Sequence, residues 1–281
     1  MRFKCLAALA CAALVTASVH GQDVNITDGT STYFQAEGGS NSANLSPYIG
    51  GDGLFEDSWL VRYINASGDT VNKRLINDAG DADIVYSISQ AGDTAVVTYD
   101  ISSEDELPFN PRVDLFQLVI THTISTDTGG QAVLDSSFSL TKINGGGTFS
   151  LLNYFDVAME GFGGDSVYTT PYQNDGFAVV MESQNGNPGF RHGIGADRFG
   201  TRSWGGTDLD ADFLAGGDMT NVDEDAIADI TAAFQWDFDM DALSSASGGT
   251  LMQVGAIPEP TTGVILAGLA LAGFGFRRRR R

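Results

Sequence analysis

The chain is poor in cysteine and histidine, and each shortage excludes a class of site. Both cysteines, Cys5 and Cys11, lie in the first 21 residues, and only His122 and His192 lie beyond that segment. The remainder therefore has no disulfide framework, no thiolate metal site and no cysteine nucleophile. Two histidines are also too few for a His-rich metal centre.

Positive charge is scarce as well. Of the 15 lysines and arginines, two lie in the first 21 residues and five at the C-terminus, which leaves eight between them. The same stretch holds 35 of the 36 acidic residues, so its formal charge is eight minus 35, or −27. Such a charge repels nucleic acid and anionic membrane surfaces, and neither is an expected partner of this stretch. It suits a self-repelling surface protein that attracts divalent cations.

The first 21 residues have the pattern of a signal peptide. Arg2 and Lys4 precede an apolar, alanine-rich run at residues 5–15. Small residues follow, and Val19-His20-Gly21 is an acceptable cleavage site before Gln22. This order of segments predicts export.

The C-terminal 25 residues consist of three unlike pieces in a fixed order. Pro258, Glu259 and Pro260 form a stiff, extended segment, because each proline fixes φ and lacks an N–H. Residues 261–276 carry no charge, and as a helix these 16 residues reach about 24 Å. We expect a single transmembrane helix that spans a roughly 30 Å hydrocarbon core by local thinning and snorkelling. The basic end consists of Arg277, Arg278, Arg279, Arg280 and Arg281, which predict a cytoplasmic terminus.

This tripartite tail, residues 257–281, resembles the PEP-CTERM sorting signal of Gram-negative bacteria. The resemblance implies recognition by an exosortase, a membrane protease-transpeptidase, with cleavage near Pro258-Glu259-Pro260. It also implies an intermediate tethered in the inner membrane, followed by display at the cell surface or in the extracellular matrix of a bacterium that makes exopolysaccharide. A plain single-span anchor and a buried hairpin of a soluble domain are the alternatives.

The body, residues 22–256, alternates between apolar and polar residues with period two. Alternation is clearest at residues 230–240 and recurs at 59–64, 84–88, 97–101, 116–124, 134–140 and 149–157, with a short apolar run at 177–181. Turns rich in Gly, Asn and Asp separate these runs, and helical periodicity is almost absent. The pattern predicts an all-β fold, an antiparallel β-sandwich of jelly-roll or similar type, with a closed barrel as the alternative. Residues 22–53 are expected to form an irregular lead-in with one or two short strands.

Residues 190–206 concentrate the scarce positive charge beside aromatic side chains. Arg191, Arg198 and Arg202 are three of the eight basic residues of the body, and Trp204 follows them. Five glycines predict a loop here. Guanidinium and aromatic groups on a loop suit sugar rings and acidic groups, so these four residues are the candidate ligand-binding set, with exopolysaccharide as a partner. The alternative is that the arginines pair with neighbouring aspartates while the aromatics cap the sandwich.

Asp208, Asp210 and Asp212 imitate the first half of a calcium-binding loop. Phe213 stands where such a loop has its glycine, and Met219 stands where it has its glutamate, which excludes an EF-hand. The three carboxylates remain candidate ligands of a surface Ca²⁺, the one cofactor that the sequence suggests. A solvated acidic face is the alternative.

The sequence assigns no catalytic residue, since it lacks a nucleophile elbow, a zincin helix and a phosphate loop. Two classes of function remain for the body. One is a non-enzymatic structural, adhesive or carbohydrate-binding protein of the cell surface or matrix. The other is a secreted carbohydrate-active enzyme, a glycoside hydrolase or lyase, which would need two carboxylates roughly 5–10 Å apart in an aromatic-lined cleft.

The tail yields the first testable prediction. In a host with an exosortase, the surface form of the protein should lack Phe276 and the terminal arginines, because a short span suits a temporary tether. Replacing Glu259 with Ala should leave the full-length chain in the inner membrane. Mass spectrometry of the surface-exposed protein tests this, and a C-terminal peptide that ends in Arg281 would make the tail a plain anchor.

Overall fold

The protein was analysed as a computed structural model, which describes residues 23–36, 43–47, 54, 56–75, 83–103, 112–156, 165–171, 176–182, 188–203, 209–221, 227–228 and 230–254. The predicted signal peptide and the predicted transmembrane tail lie outside these residues. Among the helices that the structure does describe, none is long and apolar enough to cross a membrane.

The described chain is all-β and antiparallel, as predicted. Its elements in chain order are β1 (Val24–Asp28), β2 (Ser31–Gln35), β3 (Ala43–Ser46), β4 (Glu56–Ile64), β5 (Thr70–Arg74), β6 (Ile84–Ala91), β7 (Thr94–Ser102), β8 (Asp114–Thr126), β9 (Ala132–Lys142), β10 (Thr148–Asp156), β11 (Asp165–Pro171), β12 (Gly176–Glu182), β13 (Pro188–Ile194), β14 (Arg198–Ser203), α1 (Leu209–Leu214), β15 (Ile227–Ala228), β16 (Ile230–Asp239) and β17 (Ser245–Val254).

These strands form three sheets. The largest has nine strands in the order β15-β11-β12-β13-β17-β9-β8-β7-β6, and the second has five in the order β14-β16-β10-β4-β5. The third, β1-β2-β3, is the lead-in that the sequence predicted to be largely irregular. It is ordered because Val24, Ile26, Tyr33 and Leu45 are buried in the same core as the two larger sheets.

The apolar faces of the five- and nine-stranded sheets meet in one core. Trp59 of β4 stacks on Trp236 of β16 with ring centroids 6.0 Å apart. Both rings contact Phe138 of β9 edge-on, at 6.0 and 5.2 Å. Each fully buried large apolar side chain contributes about 1.5–3 kcal/mol, so this interdigitated layer is what stabilises the pairing of the two sheets. The period-two alternation correctly identified the strands that supply it.

The predicted loop at residues 190–206 is wrong where the structure describes it, because β13 and β14 occupy most of that stretch. The glycines in this stretch leave room for side chains that pack against the strands. A Cβ on Gly193 would lie 2.5 Å from the Phe234 ring, and one on Gly200 would lie 3.1 Å from Leu209. Glycine lets a packed side chain approach the strand closely, which is one of its recognised uses inside sheets.

Residues 230–240 are the last run of clear alternation in the sequence, but they do not form the last strand of the fold. β17 follows them and lies in the interior of the large sheet, paired with β13 on one side and β9 on the other. Its sequence has little apolar alternation because its glycines make room for aromatic rings. A Cβ on Gly248 would lie 2.7 Å from Phe138 and 2.9 Å from the indole nitrogen of Trp236.

Candidate functional site

Asp57 of β4 is a buried carboxylate at the junction of the three sheets, only 1% exposed. Its carboxylate accepts hydrogen bonds from Arg191 Nη2 of β13, with N–O distances of 3.0 and 2.9 Å. It also accepts one from Asn153 Nδ2 of β10 at 2.8 Å and one from Tyr33 Oη of β2 at 3.0 Å. The Asp57 backbone carbonyl accepts a further bond from Gln35 Nε2 of β2 at 2.8 Å. A single residue therefore connects strands of all three sheets.

Arg191, a predicted ligand-binding residue, lies in the core and is 0% exposed. Its Cζ lies 4.6 Å from the centroid of the Phe155 ring, and its Nη2 also donates to Thr250 Oγ1 at 3.2 Å. Burying a guanidinium costs several kcal/mol unless a counter-charge accompanies it, and Asp57 is that counter-charge. The structure therefore assigns Arg191 to the interior of the fold and not to a ligand surface.

His122 of β8 belongs to the same interior region, in phase with the buried apolar side chains of that strand. Its Nδ1 lies 2.8 Å from Ser136 Oγ, and its ring centroid lies 5.3 Å from that of Tyr33. Burial lowers the pKa of His122 to about 4, an effect that Asp57 opposes and Arg191 reinforces. Burial also lowers the pKa of His192 to about 4. Both imidazoles are therefore neutral at physiological pH.

A second group of polar residues lies on the outer side of the five-stranded sheet. It contains four of the eight basic residues of the body, Arg62 of β4, Arg74 of β5, and Arg198 and Arg202 of β14, and we call it the arginine face. Residues 209–221, which include α1, lie across this face, and we call them the strap. An apolar cluster joins strap to sheet and contains Leu60, Leu152, Tyr154, Leu209, Phe213, Met219 and Ala233.

Acidic residues of the strap pair with the arginine face. Arg74 pairs with Asp210, and Arg62 pairs with Asp218. Arg198 Nη1 lies 2.6 Å from Asp218 Oδ2, and Arg202 Nη1 lies 2.6 Å from Asp212 Oδ2. The structure thus brings two predicted ligand-binding arginines, Arg198 and Arg202, onto one surface with two predicted calcium ligands, Asp210 and Asp212. Trp204 and Asp208 lie outside the described residues.

The arginine contacts set the ionisation of Asp218. Burial alone would raise the pKa of its carboxyl, but hydrogen bonds from Gln235 and Arg62, the charge of Arg62 and a bond from Arg198 outweigh that effect and lower the pKa to about 2. Asp218 therefore stays ionised at neutral pH. A carboxylate in this state accepts hydrogen bonds but does not donate a proton, as a general acid must.

The calcium prediction is untested by the geometry, because Asp208 is not among the described residues. Within the part of the chain that the structure does describe, no group of three or more His, Cys, Asp or Glu side chains is arranged to hold a metal ion. Asp210 and Asp212 are engaged by Arg74 and Arg202, so a cation would have to compete with guanidinium groups for them.

A depression of about 280 Å³ lies at one end of the two large sheets, lined by Ile64, Asn65, Ala66, Leu115, Asn144, Gly145 and Gly146. Its two amide side chains are used by the backbone around it. Asn65 Oδ1 accepts hydrogen bonds from the N–H groups of Ser67 and Asp69, at 3.0 and 2.8 Å. Asn144 Nδ2 donates to the Asp114 carbonyl at 3.0 Å. These amides therefore fix turns.

Residues 256–280 match the family model of the PEP-CTERM protein-sorting motif. The C-terminal tail is a PEP-CTERM sorting motif. The resemblance found in the sequence is confirmed, and the motif implies export with exosortase processing and membrane-associated sorting in Gram-negative bacteria. The match is confined to the tail. Among the curated proteins none matches this chain.

The body is similar to a solved structure, a bacterial glucoamylase complexed with acarbose, with a TM-score of 0.53 and 12% sequence identity. The similarity covers 90% of this chain but only 36% of the glucoamylase chain. This chain thus spans little more than a third of the length of that protein. At such an identity the likeness shows a shared fold alone.

The sequence patterns did not identify Asp57, Arg62 or Arg74 as site residues. One signal for Asp57 was available, since it stands two residues before Trp59 and shares the strand face of Trp59, Val61 and Tyr63. A carboxylate in phase with a buried apolar run indicates a buried charge that needs a partner. The arginine face itself carries no such signal, because β14 is distant in sequence from β4 and β5.

Burial of His122 predicts that the body loses stability as the pH falls from 6.5 to about 4. In that window the unfolded state binds a proton that the folded state does not, which costs about 1.4 kcal/mol per pH unit for each such proton. His122→Gln should therefore reduce the difference between urea midpoints measured at neutral pH and near pH 4.5. His192→Gln, which removes the second histidine with a lowered pKa, should have a similar effect. Equal pH dependence in the wild-type protein and His122→Gln would contradict the neutral, buried state of His122.

Proposed function

We propose that this chain is a non-enzymatic surface or matrix protein with a β-sandwich body that binds carbohydrate. The observation that carries the proposal is the sorting motif at residues 256–280. The predicted signal peptide at residues 1–21 and the uncharged run at 261–276 complete an export route. Along that route the chain is first tethered in the inner membrane, then processed, and finally displayed at the cell surface or in an exopolysaccharide matrix.

The packing of the two large sheets supports the sandwich assignment. Their facing sides share one core of aromatic and aliphatic side chains, while the opposite side of the five-stranded sheet carries the strap. Sheets stacked in this way expose their loops at two ends and their outer faces to solvent. A sandwich therefore suits a rigid display module with a broad outer surface.

The state of the described carboxylates supports a role other than hydrolysis. Asp57 is buried against Arg191, and Asp210, Asp212 and Asp218 pair with arginines. A glycosidase needs one carboxyl group that protonates the leaving group and a second that attacks or activates water. These four carboxylates are engaged in ion pairs with guanidinium groups, which suits a structural role.

Arg198 and Arg202 favour a binding function. They lie on β14, at an edge of the five-stranded sheet, and their side chains are 38% and 35% exposed. A guanidinium group forms forked hydrogen bonds with carboxylates, which acidic sugars carry. The solved structure of similar fold is a glucoamylase complexed with acarbose, which makes carbohydrate the first class of partner to test.

A glycan array with the purified, exported protein tests the proposal, run beside hydrolysis assays on the same polysaccharides. We expect retention of at least one polysaccharide without release of reducing sugar. Trp204→Ala should abolish that retention, as the sequence predicts for a stacking residue. Release of reducing sugar would contradict the proposal and favour a secreted carbohydrate-active enzyme.

A further inference from the structure

Half of the basic residues of this acidic body lie on one face of one sheet, where Glu56 and Asp237 of the sheet also pair with Arg74 and Arg198. The strand registers place Arg198 and Arg74 at opposite ends of a row that crosses all five strands through Gln235, Leu152 and Leu60. Four inter-strand spacings separate the two arginines, or about 19 Å. Arg62 lies one row away on the same face, and Arg202 lies two rows away on the other side. Four guanidinium groups thus frame an apolar centre.

The strap covers the surface between these four arginines in the way that a bound ligand would. Phe213 is 0% exposed in the apolar centre, and the guanidinium carbon of Arg62 lies 4.8 Å from the centroid of its ring. At the rim, Asp210, Asp212 and Asp218 meet the arginines. An apolar centre surrounded by a polar rim is also the anatomy of a recognition interface between separate molecules.

The sign of the charges indicates which class of ligand the arginine face would bind in place of the strap. Every strap side chain in these ion pairs is a carboxylate, so the group that best replaces it is another carboxylate. Since the frame is about 19 Å wide, a polymer with repeated carboxylates engages several arginines at once and gains from multivalency. Arg198 and Arg202 are about a third exposed with the strap in place, whereas Arg62 and Arg74 are 15% and 12% exposed.

We propose that the arginine face is a binding site for acidic polysaccharide, and that the strap occupies it as a built-in competitor. This inference rests on the proposed function, because it names the class of carbohydrate and the device that regulates access to it. Arg198 and Arg202 make the first contact. Displacement of the strap carboxylates then makes Arg62 and Arg74 available to the polysaccharide as well.

Weakening the strap should therefore strengthen binding, since the apparent affinity is the intrinsic affinity scaled by the fraction of molecules in the open state. Phe213→Ala removes the apolar anchor of the strap without changing the charge of the protein. We expect its dissociation constant for polygalacturonate to fall about tenfold or more relative to wild type. The triple variant Asp210→Asn, Asp212→Asn, Asp218→Asn should behave alike, and it keeps the proposal testable if Phe213→Ala fails to fold.

Two controls separate this device from a general charge effect. Asp69→Asn, Asp93→Asn, Asp135→Asn removes the same charge from exposed positions outside the strap and should alter the affinity far less than the strap triple variant. Arg198→Gln, Arg202→Gln should abolish binding of polygalacturonate. Dextran, a neutral polysaccharide, is the ligand control.

Equal affinities of wild type and both strap variants for polygalacturonate would overturn the inference, and so would an equal gain in the charge-matched control. Binding of dextran alone, unchanged by the strap variants, would overturn the inference while leaving the proposed function intact. Failure of both strap variants to bind polygalacturonate would also overturn it. Hydrolysis of either polysaccharide would instead contradict the proposed function.

Discussion

The ion pair between Arg191 and Asp57 is the interaction on which the arrangement of the three sheets depends. It joins β13 of the large sheet to β4 of the five-stranded sheet, and Tyr33 adds β2 of the third. Loss of one partner leaves the other charge unpaired in the core, at a cost of about 3–5 kcal/mol. Because whole domains are stable by only about 5–15 kcal/mol, the register of the sheets depends on this contact.

Most of the few basic residues of this strongly acidic body form ion pairs that join its structural elements. One of them is buried in the core, where it pairs with a carboxylate. Four others lie on the outer face of the five-stranded sheet, and each of these also pairs with a carboxylate. The remaining acidic surface repels other copies of the protein. The sorting motif is a separate part of the chain. It implies export of the chain with exosortase processing.

Features that are local in sequence were predicted correctly. The tail was identified because its three pieces follow one another, and β4, β6–β10 and β16 were identified because alternation reports one buried face directly. Features that depend on distant residues were not. Gly248 of β17 is small because Phe138 and Trp236 pack against it, and Arg191 is buried because Asp57 lies opposite. The sequence of one strand does not reveal either partner, because the residues that suit a strand depend on the side chains packed against it. The strap escaped prediction for the same reason.

Urea unfolding of Arg191→Met, Asp57→Leu and the double variant tests the role of the buried pair most directly. The account predicts that each single substitution lowers the free energy of unfolding by about 3–5 kcal/mol, and that the double variant loses much less than the sum. Asp114→Asn, which removes the charge of the partly exposed pair with Arg112, is the control and should cost about 1 kcal/mol or less. Single variants as stable as wild type, or losses that simply add, would contradict the account.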